Sequence, residues 1–156
     1  MTETRVLDGI DRRILRVLQR DGRISLQELG ERVGLSATPV ARRLRALEAA
    51  GVIRGYAALI DEAALGYAVS VFVSVRLDRQ VDDALARFEA TVTGFDEVVD
   101  CWLMTGARDY LLRIACEDLE AFERFLTSRL TRAPGVAGIE SSIPLRRVKG
   151  AASRGA

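Results

Sequence analysis

The stretch SLQELGERVGLSATPVARRLRALEAAG, residues 25–51, decides how the front of the chain is read. Ser25 followed by Glu28 is the pattern of a reciprocal cap, in which the hydroxyl takes the amide of residue 28 and the Glu28 side chain reaches back. Leu26, Leu29 and Val33 then recur at helical spacing. Gly34 permits a tight turn, Ser36 stands where the next helix needs a cap, and Gly51 stops that helix. Pro39 falls in its first turn, where no intrahelical donor is missed. A short helix, a glycine turn and a longer helix make a helix-turn-helix, whose second helix can lie in a DNA major groove. At about 100° per residue, Ala37, Val40, Leu44 and Leu47 of that helix fall on one side. Thr38, Arg42 and Arg45 fall on the other, with Arg43 on the flank.

That outward stripe has the chemistry of a DNA reader. An arginine fork fits guanine or a phosphate, and a threonine reaches a phosphate or a thymine methyl. Ser36 and the free amides at the helix start suit a phosphate. Arg54 is a candidate backbone contact beyond the helix. The expected DNA-binding set is therefore Ser36, Thr38, Arg42, Arg43, Arg45 and Arg54, with double-stranded DNA as partner. The plain alternative is a solvated arginine face. Charge distribution weighs against it: residues 1–60 hold 11 Arg against 7 Asp and Glu, a surplus of 4, while the whole chain is only +1. A basic front half points to a polyanion. A dimer would place two such helices about one DNA turn, ~34 Å, apart, so the rest of the chain is expected to supply a dimer interface.

Working outward, Leu7, Ile10, Ile14, Leu15 and Leu18 share one face of a preceding helix, with Asp8 or Asp11 as its cap and Asp21-Gly22 as its end. Downstream, Val52–Ile60 suits a short two-stranded wing turning near Arg54-Gly55, and Asp61–Gly66 a hinge or single helical turn. From Ala68 the period changes from helical to alternating. Val69, Val71, Val73, Val75 and Leu77 mark a long strand. Val81–Val92 follows as an amphipathic helix, then strands over Val98–Thr105 and Tyr110–Cys116 joined by Gly106-Ala107-Arg108-Asp109. Asp118 caps another helix, Pro134-Gly135 breaks it, and Val136–Leu145 is a last strand. The order β-α-β-β-α-β is ferredoxin-like. The chain thus divides into a winged helix-turn-helix domain over 1–60, a hinge over 61–67, a ferredoxin-like α+β domain over 68–148 and a disordered tail over 149–156.

Several function classes are disfavoured. With no histidine among 156 residues, Ser-His-Asp and Cys-His nucleophile pairs and the commonest metal ligand are absent. Neither a G-x-x-x-x-G-K-[ST] nor a G-x-G-x-x-G loop occurs. No catalytic residue, metal or cofactor is therefore expected. Cys101 and Cys116 both sit in strand-like apolar runs and read as buried, reduced thiols. No apolar run reaches the ~20 residues of a membrane helix, and Met1–Arg5 opens no secretory signal. A cytoplasmic protein is expected.

Taken together, Leu7-Asp8 with Ile10-Asp11, ILRVLQRDGRIS (14–25), LGERVGLSATPVARRLRALEAAGVIRGYAALI (29–60), MTGARDYLL (104–112) and APGV (133–136) resemble the Lrp/AsnC, or feast/famine, transcriptional regulators over residues 5–149. The resemblance implies a winged helix-turn-helix joined to a ferredoxin-like ligand domain, often called RAM. It further implies homodimers built through the RAM sheets, octamers made of four dimers, and an amino acid or related small effector held between dimers. Carried onto this chain, the effector region is Thr105, Gly106, Ala107, Arg108, Asp109 and Tyr110, with Ser141 and Ser142 on the last strand as neighbours. Asp109 would accept from the effector's ammonium, and amides around Gly106 would hold its carboxylate. The competing reading of Gly106–Asp109 is a simple hairpin turn in which Asp109 takes backbone amides. Tyr110 opens a strand and suits the core or an interface. One departure stands out: many family members carry histidine at the position of Trp102, a large side chain suited to anchoring a subunit contact.

Overall fold

A computed structural model describes residues 6–79 and 81–148, which divide into two compact units, one running to Ala58 and the other from Leu59 to Arg147. The expected disordered tail, 149–156, lies outside the described residues.

The first unit contains α1 (Gly9–Leu18), α2 (Leu26–Val33) and α3 (Ala37–Ala49). Asp8 caps α1, its Oδ1 accepting from the amides of Ile10 at 2.9 Å and Asp11 at 2.7 Å. The reciprocal cap of α2 is formed: Ser25 Oγ accepts from the Glu28 amide at 3.2 Å, and the Ser25 amide donates back to Glu28 Oε2 at 3.4 Å. Such a cap contributes about 1 kcal/mol to helix stability. Ser36 occupies the cap position of α3 but its hydroxyl makes no capping bond. Ile14, Leu29, Val33, Val40 and Leu47 form the core, closed by Ile10, Leu18, Leu44 and Ile53. Leu26 points outward instead, 40% exposed.

The glycine that shapes the helix-turn-helix is one the pattern reading passed over. Gly34 does end α2 in the left-handed conformation at φ 77°. Gly30, however, is buried inside α2, and a Cβ there would collide with the carbonyl oxygen of Leu35. The turn into α3 passes close over Gly30, and the Leu35 amide donates to its carbonyl at 2.9 Å.

The expected two-stranded wing at Val52–Ile60 is not formed; after a turn the chain there runs without regular structure. The amides of Val52 and Ile53 both donate to the Leu47 carbonyl, at 3.0 and 3.2 Å, so they finish α3 rather than start a ladder. An isolated two-stranded ribbon is marginal in water.

In the second unit, a 3₁₀ turn at Ala63–Leu65 precedes β1 (Val69–Leu77), α4 (Asp82–Thr93), β2 (Val98–Leu103), β3 (Tyr110–Cys116), α5 (Leu119–Ser128) and β4 (Val136–Ser142). The last strand stops three residues before the expected Leu145, which is fully exposed. The antiparallel sheet runs β2-β3-β1-β4, the ferredoxin-like order expected from the pattern. Val71, Val73, Val75, Leu112 and Ile114 point to one face and pack with Phe88, Val92, Phe122, Phe125 and Leu130 from the helical layer. Each fully buried side chain of this kind stabilises by about 1.5–3 kcal/mol. The opposite face, covered by no helix of its own unit, carries Phe72, Ser74, Arg76, Trp102, Leu111, Arg113, Glu140 and Ser142.

Gly30→Ala is expected to lower the unfolding free energy of the protein's first unit by about 2–3 kcal/mol, read from denaturant melts of helical circular dichroism. An unchanged midpoint would show that the α2–α3 turn can move away at little cost.

Candidate functional site

The two expected sites lie in different units. On α3, Thr38, Arg42 and Arg45 form an exposed stripe at positions i, i+4 and i+7. Neither the Arg42 nor the Arg45 guanidinium is paired with another described residue. Ser36 is exposed beside them with its hydroxyl unused by the cap, and Arg54 is exposed in the extended chain after α3. The first turn of α3 also presents free amides, which with the helix dipole favour an anion.

Arg43 is placed otherwise. Its Nη1 lies 2.7 Å from Asp8 Oδ2 and 2.8 Å from Asp11 Oδ1, and its side chain is 24% exposed. The DNA-binding role expected for it competes with this double ion pair, which ties α3 to the start of α1.

In the second unit, the turn after β2 keeps Thr105, Gly106 and Ala107 exposed, with Gly106 at φ 111°. Asp109 is turned into the fold. It is 5% exposed, and its Oδ2 accepts from the Leu77 amide at 2.7 Å. Its own amide donates to the Val75 carbonyl at 2.9 Å, and its carbonyl accepts from Met104 at 2.8 Å. Asp109 is thus the turn-fastening residue of the hairpin reading, because a carboxylate that takes a buried amide removes an otherwise costly orphan.

Tyr110 belongs to the core at 1% exposure, its ring 4.6 Å from that of Phe88. Its hydroxyl donates to Glu89 Oε1 at 2.8 Å, and burial with the nearby carboxylate pushes its pKa well up. A cavity of about 390 Å³ opens beside it, lined by Glu89, Val92, Val98, Cys101 and Leu103. The two cysteines are unbridged; Cys116 is buried, but Cys101 is exposed, contrary to expectation. Partial burial of its sulfur and the Glu89 charge push the Cys101 thiol up to about 11, so it stays protonated and a poor nucleophile near neutrality.

Arg108 and the last strand make the charged part of this region. Arg108 Nη2 reaches Glu140 Oε2 at 2.7 Å, across the position of β1. Glu140 pairs with Ser74 and Ser142 with Phe72, so both lie on the open face. Ser141 pairs with Val73 and points to the helical face, away from them. Glu140 was missed by the sequence reading: 32 residues separate it from Arg108, and only the strand order brings the two together. Trp102 sits on the open face opposite Leu111, 43% exposed. Between the apolar side chains, Arg113 is held by Asp100 at 2.8 Å and by Glu62 at 2.9 Å.

Among the described residues, no group of three or more His, Cys, Asp or Glu side chains is arranged to hold a metal, and no helix is long and apolar enough to cross a membrane.

Comparison with known proteins gives two family matches: the winged helix-turn-helix DNA-binding family over residues 7–54 and the Lrp/AsnC ligand binding domain over residues 70–153. The Bkd operon transcriptional regulator of Pseudomonas aeruginosa is 51% identical over 142 residues, covering 91% of this chain and 93% of that protein. The leucine-responsive regulatory protein of Escherichia coli is 42% identical over 143 residues, covering 92% and 87%. Among solved structures, a transcriptional regulator from Neisseria meningitidis in complex with L-methionine superposes with a TM-score of 0.88 at 40% identity, covering 93% and 94% of the two chains. A feast or famine regulatory protein from M. tuberculosis complexed with L-methionine gives 0.83 at 35% identity, covering 97% and 100%.

Asp109→Ala is expected to cost the second unit about 1–3 kcal/mol, because the Leu77 amide loses its buried acceptor. Urea unfolding followed by Trp102 fluorescence measures it. A change below about 0.5 kcal/mol would mean that water or another group replaces the carboxylate.

Proposed function

Because the chain belongs to the Lrp/AsnC family of DNA-binding transcriptional regulators, which are not enzymes, we propose that it reads its operators through the Thr38, Arg42 and Arg45 stripe of α3. The observation that carries this reading is the pair of exposed guanidiniums of Arg42 and Arg45 on one side of the helix, unpaired among the described residues. In the major groove they fork onto guanine edges or phosphates while Thr38 meets a thymine methyl or a phosphate. Ser36 and the free amides of the first turn take a backbone phosphate, and Arg54 another. A cytoplasmic location is in line with a double-stranded DNA partner.

The active form is a homodimer whose interface is the open sheet face. Trp102, Phe72 and Leu111 supply apolar anchors there, and large aromatic side chains on a face without helices are what a subunit contact requires. Four such dimers assemble as an octamer, as the family resemblance implies.

The effector is an amino acid with an apolar side chain, in line with the L-methionine in the two similar regulators. It binds at the turn Thr105–Arg108. Amides around Gly106 and the Arg108 guanidinium meet its carboxylate. Glu140, rather than the buried Asp109, accepts from its ammonium, with Ser142 on the same face. A zwitterion inserted between Arg108 and Glu140 replaces one ion pair with two. Tyr110 and Ser141, on the helical face, shape this region without touching the ligand. Binding that differs between assemblies shifts operator affinity by about 1–3 kcal/mol.

The test is a gel shift on the protein's own upstream DNA against random DNA at fixed salt, with and without a panel of amino acids. Arg42→Ala and Arg45→Ala are each expected to weaken operator binding by about 1–3 kcal/mol. L-methionine or L-leucine is expected to change it for the unaltered protein and not for Glu140→Ala. Light scattering on the same samples reads the assembly. Undiminished operator binding by Arg42→Ala/Arg45→Ala would overturn the reader assignment, and a response retained in Glu140→Ala would overturn the ammonium site.

A further inference from the structure

Three arginines stand close together on α3, and the structure uses them in two ways. Among the described residues Arg42 and Arg45 have no ionic partner, while Arg43 Nη1 is shared between Asp8 Oδ2 at 2.7 Å and Asp11 Oδ1 at 2.8 Å. The Asp11 side chain is only 3% exposed. The Asp8 carboxylate is itself pinned, because its other oxygen takes the amides of Ile10 and Asp11 as the cap of α1. The chain of constraint therefore runs from the α1 backbone to a fixed carboxylate, and from that carboxylate to a guanidinium on α3.

The apolar core of this unit takes Ile10 and Ile14 from α1 and Val40, Leu44 and Leu47 from α3. Apolar burial drives association but is non-directional, so it tolerates small rotations and slips of one helix against the other. A charged bond of 2.7 Å between two fixed atoms does not. The start of α1 is also where the helix dipole favours carboxylates. The Asp11 amide first, and then Arg43, lower the Asp8 pKa below its ordinary 3.8.

We propose that Arg43, held by Asp8 and Asp11, is a positioning residue that sets the orientation of the recognition helix and does not itself contact DNA. Swinging Arg43 out to a phosphate would strip a cationic partner from the nearly buried Asp11 carboxylate. Misorientation of α3 would weaken reading of base edges, which depends on direction, more than attraction to phosphates, which does not. This rests on the DNA-reading role assigned to α3 above.

Two variants of the full-length protein test it. Asp8→Asn keeps a good helix cap and removes the charge that grips Arg43; Arg43→Gln removes the guanidinium. Affinity for operator and for random DNA is measured between about 50 and 200 mM salt, a range in which phosphate contacts register clearly. The ratio of the two affinities is the readout, because loss of an acid raises affinity for all DNA alike. Both variants are expected to lower that ratio by about tenfold, the equivalent of one base contact. The salt slope of Arg43→Gln should match that of the unaltered protein. A slope lowered by about 0.9 in Arg43→Gln, with operator and random affinity falling together, would make Arg43 a phosphate contact and overturn the proposal. An unchanged ratio in both variants would overturn it as well. If Arg43→Gln fails to fold by circular dichroism, Asp8→Asn decides by the same ratio. An unaltered protein without operator preference would instead overturn the DNA-reading role itself, and the positioning role with it.

Discussion

Strand β1 is hydrogen-bonded along both edges, to β3 on one side and β4 on the other, and this double pairing organises the whole second unit. A strand so placed cannot slip by one residue without moving Val71, Val73 and Val75 out of the core and Phe72 and Ser74 into it. Its C-terminal end also receives the β2–β3 turn: the Leu77 amide donates to Asp109, and the Asp109 amide donates to Val75. The position of the turn proposed to meet the effector is therefore inherited from the register of β1. The exposure of Gly106 and Ala107 follows from the burial of Asp109 beside them.

Features set by neighbours in sequence were legible in the residues. The Ser25–Glu28 cap, the Asp8 and Asp118 caps and the alternation along β1 each depend on spacings of two to four residues, and all are formed. The ferredoxin-like order followed from those periods. Features set by distant partners were not legible. A helical wheel puts Arg43 on the flank of α3 but cannot show that two carboxylates more than 30 positions away, at Asp8 and Asp11, claim it. The Arg108–Glu140 pair needs the strand order before it can be seen. Gly30 looked like an ordinary helical position, since the chain that crosses it arrives only when the turn closes. The wing failed for the opposite reason. Its residues carry a weak local strand signal, and a local competitor, the C-terminal carbonyl of Leu47, takes the amides first.

The two units divide the labour of charge differently. On α3, ion-paired and exposed guanidiniums alternate within one turn, so a helix with little room carries both a bond to α1 and an exposed basic stripe. On the open sheet face, Arg113 is ringed by two acids amid apolar residues. Its cost of desolvation is offset within the chain itself.

Glu62 belongs to the segment between the helical and the sheet-containing parts, yet it is bonded to Arg113 in the middle of β3. A connecting segment anchored in this way is no longer a neutral spacer; it has been captured by the module that follows it. Recombination between relatives, in a genome or at the bench, would therefore meet a natural seam before Leu59 and a fault line after it. A reader domain transplanted with its own residues 59–66 would bring a foreign carboxylate, or none, to a guanidinium built to receive Glu62.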